Sequence, residues 1–359
     1  MGRSFFYKEF LAIAVMVSVE CTHVAVNTLF KAASLKGLSY YVFVFYSYAI
    51  ASLILIPVPF FFRSIPVPPS MKLPLLLRIW VLAFIGFISQ IVGTKAIEYS
   101  SPTLSSAMSN LTPAFTFALA IIFRMEKLVI RSSSTQAKMI GTFASMAGAL
   151  VVVLYKGPKV LSTVSSRLSN LLDPPVGSPS SDWVIGGLLL AAQSFLCSLW
   201  YILQTHIMSI CSKELLVTFI YTSFVTIISA PVCFVAERNL DAWQLRPDIA
   251  LVAIVFSGIC GQCFSSIVHS WGLRLKGPIY IAIFKPMSIA IAVFMGIIFL
   301  GEALHLGIII GALIISMGIY AVCWGKANEE KLSENNGFGN LGQPPTEKVP
   351  FLLTSTEDV

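Results

Sequence analysis

The sequence predicts an all-α membrane protein, with ten transmembrane helices in two inverted five-helix repeats. Three observations predict this. The first is composition: 56% of the 359 residues are hydrophobic and only 11% charged, whereas a soluble domain carries about 25% charged residues. Mean hydropathy is +0.83. Too few charges remain to solvate a globule of this size, which excludes an ordinary soluble domain, a disordered chain and a nucleic-acid-binding domain. The second is a set of ten stretches, each near the roughly 20 apolar residues that a helix needs to cross a bilayer. The third is that the two halves of the chain echo each other.

The ten stretches run over 10–30, 41–62, 75–97, 102–123, 137–155, 183–204, 215–236, 249–271, 278–300 and 304–324. None alternates as a barrel strand does, so each reads as a helix, which satisfies its own backbone in lipid. The first follows Arg3 and Lys8 but reads as a span rather than a signal peptide. It is long enough to cross, and no small-x-small cleavage site follows it. Residues 1–9 precede it. Residues 156–182, with Asp173-Pro174-Pro175 and Gly177-Ser178-Pro179, read as an irregular linker. Residues 326–359 are polar and rich in Gly, Asn and Pro, and read as a disordered tail.

The net charge of +7 does not imply a nucleic-acid partner, because the basic residues sit singly at the ends of apolar runs. Placing the N-terminus in the cytoplasm puts fifteen of the 24 Lys and Arg on the inner side and eight on the outer. That bias predicts both termini in the cytoplasm.

The linker divides the stretches five and five, into repeats over 10–155 and 183–325. Phe123-Arg124-Met125-Glu126 resembles Phe299-Leu300-Gly301-Glu302, and both close a span opened by Pro102 or Pro278. Gly141 and Gly148 match Gly311 and Gly318, both pairs seven apart. An odd number of spans per half makes the second copy enter the membrane from the opposite face. Inverted repeats of this kind build many secondary transporters, with the site near the midplane between halves.

The run Gly93-Thr94-Lys95-Ala96-Ile97-Glu98-Tyr99-Ser100-Ser101-Pro102-Thr103-Leu104-Ser105-Ser106-Ala107, continuing through Ser109-Asn110-Leu111-Thr112-Pro113-Ala114 to Phe123-Arg124-Met125-Glu126-Lys127, resembles the plant drug/metabolite transporters. These are the walls-are-thin-related or UMAMIT proteins, built from two EamA-type repeats. Leu154-Tyr155-Lys156-Gly157-Pro158, Trp200-Tyr201-Ile202-Leu203-Gln204, Lys276-Gly277-Pro278 and Trp324-Gly325-Lys326 add to the resemblance, which spans about residues 8–327. It implies a ten-helix carrier of the drug/metabolite transporter fold, at the plasma membrane or alternatively the vacuolar membrane. The cargo it implies is amino acids, mostly moved in both directions. The alternative is an exporter of auxin or another metabolite, with or without proton coupling.

Few residues inside the spans could carry this chemistry. Glu20 is the only acid deep in a span, where a charge costs several kcal/mol. At 100° per residue Glu20, His23 and Asn27 fall within about 60° of one another, and Lys31 continues the stripe. Lys285 is the only mid-span cation. It precedes Pro286, which frees a carbonyl one turn earlier. It could bind a carboxylate, neutralise Glu20 or snorkel to the interface. Gln193, Cys197, Trp200 and Gln204 share a face of the sixth span, and Gln262, Ser265, Ser266 and His269 share one of the eighth. Ser105, Ser109, Thr112 and Thr116 share one of the fourth, beside Asn110. Single Ser and Thr residues usually bond back to their own turn, so the amides are the better candidates. The expected substrate pathway is Glu20, His23, Asn27, Gln90, Asn110, Trp200, Gln204, Gln262 and Lys285. If Glu20 and Lys285 pair, the carrier should be a facilitator; if they face separate cavities, it should be proton-linked.

Other features read as structural. Gly307, Gly311 and Gly318 form a small-residue face for close helix packing. Cys260-Gly261-Gln262-Cys263 has metal-like spacing without the second pair that would give it context. No metal or cofactor is called for, and the partners expected are membrane lipid and a small-molecule substrate, with no obligate protein partner. An enzyme is disfavoured: all five Asp lie outside the spans, and neither His-Glu-x-x-His nor Gly-x-Ser-Gly occurs.

Overall fold

The structure is a computed structural model and describes residues 2–58, 73–123, 133–155, 157–161, 181–211, 213–245, 247–276, 281, 284–300 and 304–337. It is helical almost throughout. In chain order the helices are α1 (Gly2–Ser34), α2 (Tyr40–Leu55), α3 (Leu73–Tyr99), α4 (Pro102–Ser109), α5 (Thr112–Ile122), α6 (Ser133–Leu154), α7 (Ser181–Ile210) and α8 (Glu214–Ala236). Then come α9 (Ile249–Phe256), a π-helical stretch (Ser257–Phe264), α10 (Ser265–Lys276), α11 (Lys285–Met295), a second π stretch (Gly296–Leu300) and α12 (Leu306–Gly337). Five described segments are long and apolar enough to cross a membrane: Leu73–Tyr99, Pro102–Ile122, Ser181–Ile210, Glu214–Ala236 and Ile249–Arg274. The shorter Tyr40–Leu55 and Leu306–Gly318 are also apolar.

Contacts at the helix ends show how the helices run. The Lys31 ammonium donates to the carbonyls of Ile97 (3.0 Å) and Glu98 (2.9 Å), so α1 and α3 end together. Lys36 pairs with Asp248 at 3.6 Å, and the Tyr46 hydroxyl donates to the Trp243 carbonyl, which brings the starts of α2 and α9 to the same face. Gly186, near the start of α7, packs against Ser100 just past the end of α3, and the Trp183 indole donates to the Val152 carbonyl, which places the start of α7 and the end of α6 there too. We call this the distal face. At the opposite face, where α1 begins, Arg274 at the end of α10 meets Glu214 at the start of α8 at 2.9 Å.

Three expectations are corrected here. The fourth stretch is not one continuous helix. It breaks at Asn110-Leu111, because Pro113 has no N–H for the Ser109 carbonyl and its ring would clash there. The linker is not wholly irregular: Lys159–Leu161 pairs antiparallel with Leu304–His305 in a small ribbon, while 162–180 lies outside the described residues. Helix also persists past residue 326 to Gly337, through Ala, Glu, Lys and Leu, which all favour helix. Residues 338–359 lie outside the described residues.

Helices α6 and α12 pack closely, and the matched glycines make this possible. A Cβ on Gly148 would lie 3.0 Å from the Gly311 carbonyl oxygen, and one on Gly318 would lie 2.5 Å from that of Gly141. Only glycine lets the two backbones approach so closely, as small residues do at interfaces inside membranes. The main apolar core lies elsewhere. It gathers α1, α2, α3, α7, α8, α9 and α10 around Phe30, Phe43, Ile79, Leu82, Tyr201 and Ile254.

Candidate functional site

Between the two ends of the bundle lies a polar cavity of about 160 Å³. Its wall draws on both halves of the chain. Glu20, His23 and Asn27 come from α1; Gln90, Gly93 and Thr94 from α3; Ser105, Ser106 and Ser109 from α4. Gln193, Cys197, Trp200 and Tyr201 come from α7, Gln262 from the π stretch, Ser266 and His269 from α10, and Lys285 from α11. The contributing stretches of α1 and α3 are their later halves, so the cavity extends towards the distal face. Gly93 leaves space that the Gln193 carboxamide occupies.

At its centre Lys285 meets Glu20. The ammonium lies 3.0 Å from one carboxylate oxygen and donates to the other at 3.4 Å. The two residues are 5% and 1% exposed. Lys285 therefore does not snorkel: it opens α11 at the break before Pro286, and its side chain turns inward to the acid on α1. Pro286 suits that place, since a helix's first turn has no partner for the N–H that proline lacks. A buried charge needs such a partner, because desolvation otherwise costs several kcal/mol per ion.

Beside the pair runs a row of rings. Tyr48 faces Tyr221 (6.4 Å between centroids), Tyr221 faces Trp200 (5.8 Å), Trp200 faces Tyr201 (5.7 Å) and Tyr201 faces His269 (5.7 Å). His23 completes the row at 6.4 Å from His269. Most of these contacts are steeply tilted, the arrangement that aromatic quadrupoles favour. The Tyr48 and Tyr221 hydroxyls sit 3.4 Å apart and tie α2 to α8. The His269 Nε2 is buried without a hydrogen-bond partner. Between the cavity and the N-terminal face, the Gln204 carboxamide donates to the Ser270 hydroxyl at 2.8 Å, with Thr218 at 3.4 Å from that oxygen.

Of the nine residues expected on the pathway, Glu20, His23, Asn27, Gln90, Trp200, Gln262 and Lys285 line the cavity. Gln204 and Asn110 do not. Gln204 lies one turn beyond, in the hydrogen-bonded closure. Asn110 is fully buried at the break between α4 and α5, and its amide donates to the Ser106 and Ala107 carbonyls at 3.1 and 3.3 Å. That is the work of a helix terminus, where carbonyls lack partners. Asn110→Ala is accordingly expected to cost about 1 kcal/mol of stability and to leave solute affinity unchanged. Thermal unfolding and ligand titration of one preparation would test both.

Tyr48, Tyr221, Gln193 and His269 also line the cavity, beyond those nine. In an apolar span a tyrosine looks like core. Gln193 and His269 carry a signal, since each shares a polar helix face with a residue expected on the pathway.

Comparison with known proteins agrees with this architecture. Residues 9–154 match the EamA-like transporter family. A WAT1-related protein of Arabidopsis thaliana is 53% identical over 353 residues, 98% of this chain and 94% of that protein. Another is 46% identical over 369 residues, covering 100% of this chain and 99% of its own. A solved crystal structure aligns with a TM-score of 0.54 over 86% of this chain and 96% of its own, at 12% identity, a likeness of fold alone. Identity of this order over nearly the whole length shows the family: the chain belongs to the plant drug/metabolite transporters, the EamA-like, WAT1-related membrane proteins that carry small solutes.

Proposed function

We propose that the chain is a facilitative carrier of amino acids at the plasma membrane, working by alternating access with both termini in the cytoplasm. The observation that carries this reading is the Glu20–Lys285 pair in the cavity wall. A zwitterionic amino acid presents an ammonium for Glu20 and a carboxylate for Lys285. Asn27, Gln90, Trp200 and Gln262 then surround the rest of the solute, and His23 stands one turn above Glu20.

The motion proposed is a rocking of two inverted halves, 10–155 and 183–325, with ten crossings in all. Helix packing supports it. When the first five spans are exchanged with the second five, α2–α8, α4–α11 and α6–α12 map onto themselves, and each is a contact in the structure. The α3–α7 contact maps onto α1 against α9 and α10, which is also made. Gly148 on Gly311 likewise maps onto Gly318 on Gly141, the reciprocity of a two-fold interface. Glu20 lies on one half and Lys285 on the other, so the pair sits where the halves meet, as in other inverted-repeat carriers.

Pairing favours a facilitator, because a glutamate already partnered by an ammonium needs no coupling proton to balance it. The test is uptake of the twenty amino acids into proteoliposomes, with and without an imposed pH gradient. At least one amino acid should equilibrate, and the gradient should leave its final level unchanged. Accumulation that the gradient drives, and that Glu20→Gln abolishes, overturns the facilitator. No uptake of any amino acid overturns the substrate class.

A further inference from the structure

Among the described residues, the cavity wall carries one full charge of each sign, Glu20 and Lys285. The rest of the wall is neutral apart from the imidazoles of His23 and His269. At pH 8, above the usual imidazole value of about 6.5, these add no charge. The wall therefore sums to zero, and both charged residues are almost wholly buried.

That balance determines which solutes the site can accept. A monocarboxylate that takes Lys285 must draw it from Glu20 and leave a buried carboxylate unpartnered. A simple amine that takes Glu20 strands the ammonium in the same way. Asn27, Gln90 and Gln262 can solvate a stranded charge only with dipoles. A zwitterion replaces both partners at once. We propose that the pair is a charge-balance filter in which Glu20 excludes monoanions and Lys285 excludes monocations. This rests on the amino-acid reading above and adds to it which residue rejects which solute. A stranded buried charge is worth about 100-fold or more in affinity.

The test compares matched trios on the purified protein at pH 8, with affinities taken from ligand-dependent thermal shifts. One trio is L-alanine, propionate and ethylamine. The other is L-phenylalanine, 3-phenylpropionate and 2-phenylethylamine, whose ring suits a cavity of about 160 Å³. In at least one trio the wild type should bind the amino acid about 100-fold more tightly than either single-charge analogue. Glu20→Gln should reverse this and bind the carboxylate best, and Lys285→Met should favour the amine. The charge-swapped Glu20→Lys/Lys285→Glu protein keeps a net charge of zero and should still prefer the zwitterion. It decides the matter if either single variant does not fold. Wild-type affinity for the carboxylate within tenfold of that for the amino acid overturns the filter, as does an unchanged order in Glu20→Gln or a carboxylate preference in the swap. Each of these leaves the amino-acid reading standing. If neither L-alanine nor L-phenylalanine binds, the same trio is built on an amino acid taken up in the proteoliposome panel, and uptake of none of the twenty removes that reading and the filter with it.

Discussion

Lys285→Met should abolish amino-acid uptake and destabilise the protein by about 3–5 kcal/mol, the cost of leaving one member of a buried ion pair without its partner. The substitution keeps most of the side chain's bulk and removes only the ammonium, so packing around α11 changes little. What remains is the Glu20 carboxylate, 1% exposed and without its counter-charge. Stability and transport should then separate in the double variant. Glu20→Gln/Lys285→Met removes both buried charges of the pair and should regain most of the lost stability, since neutral replacement of a buried pair is often tolerated. It should not regain transport, because neither end of a zwitterion finds a charge. Thermal unfolding in detergent and uptake by the same preparations measure the two effects. A Lys285→Met protein with wild-type stability and uptake would remove the pair from any role.

Gly318→Ala is expected to destabilise the protein without touching the cavity. The new methyl would meet the Gly141 carbonyl oxygen at 2.5 Å and the Ser145 backbone nitrogen at 2.8 Å. Backbone cannot rotate away as a side chain can, so α6 and α12 must part. Overpacking of this kind costs about 1–3 kcal/mol. Gly272→Ala is the matched control, because the nearest atoms there are side-chain carbons of Ile281 at 3.5 Å. A lower unfolding temperature for Gly318→Ala, with little change for Gly272→Ala, is the expected pattern. Equal unfolding temperatures for the two would show that the glycine contact contributes little.

Much of the architecture is legible in the order of the residues. Ser, Thr and Gly patterns mark the polar and small faces of each helix, because a helix repeats every 3.6 residues and its own sequence orients its faces. Glu20, His23 and Asn27 group together on that ground and do share the cavity wall. The same reasoning groups Asn110 and Gln204 with them, yet neither lines the cavity, since periodicity gives direction around an axis but not depth along a cavity. Asn110 faces its own helix end, and Gln204 lies one turn past the rings. The break at Asn110-Leu111 has a signal in Pro113, outweighed by the apolar run on either side.

The membrane class follows from the amino-acid sequence alone, because hydropathy is additive over residues and needs no knowledge of neighbours. The family follows from it as well, since the motifs around Pro102 and Pro113 are local. The meeting of Glu20 and Lys285, 265 positions apart, belongs to the tertiary structure. Each charge by itself is compatible with pairing, snorkelling or a separate cavity. The choice depends on which faces of α1 and α11 turn towards each other, and helix periodicity does not specify a neighbour. The ring row from Tyr48 to His23 is hidden in the same way, because its members come from α1, α2, α7, α8 and α10. A ring buried in a bundle becomes a cavity wall only when no other helix fills the space before it.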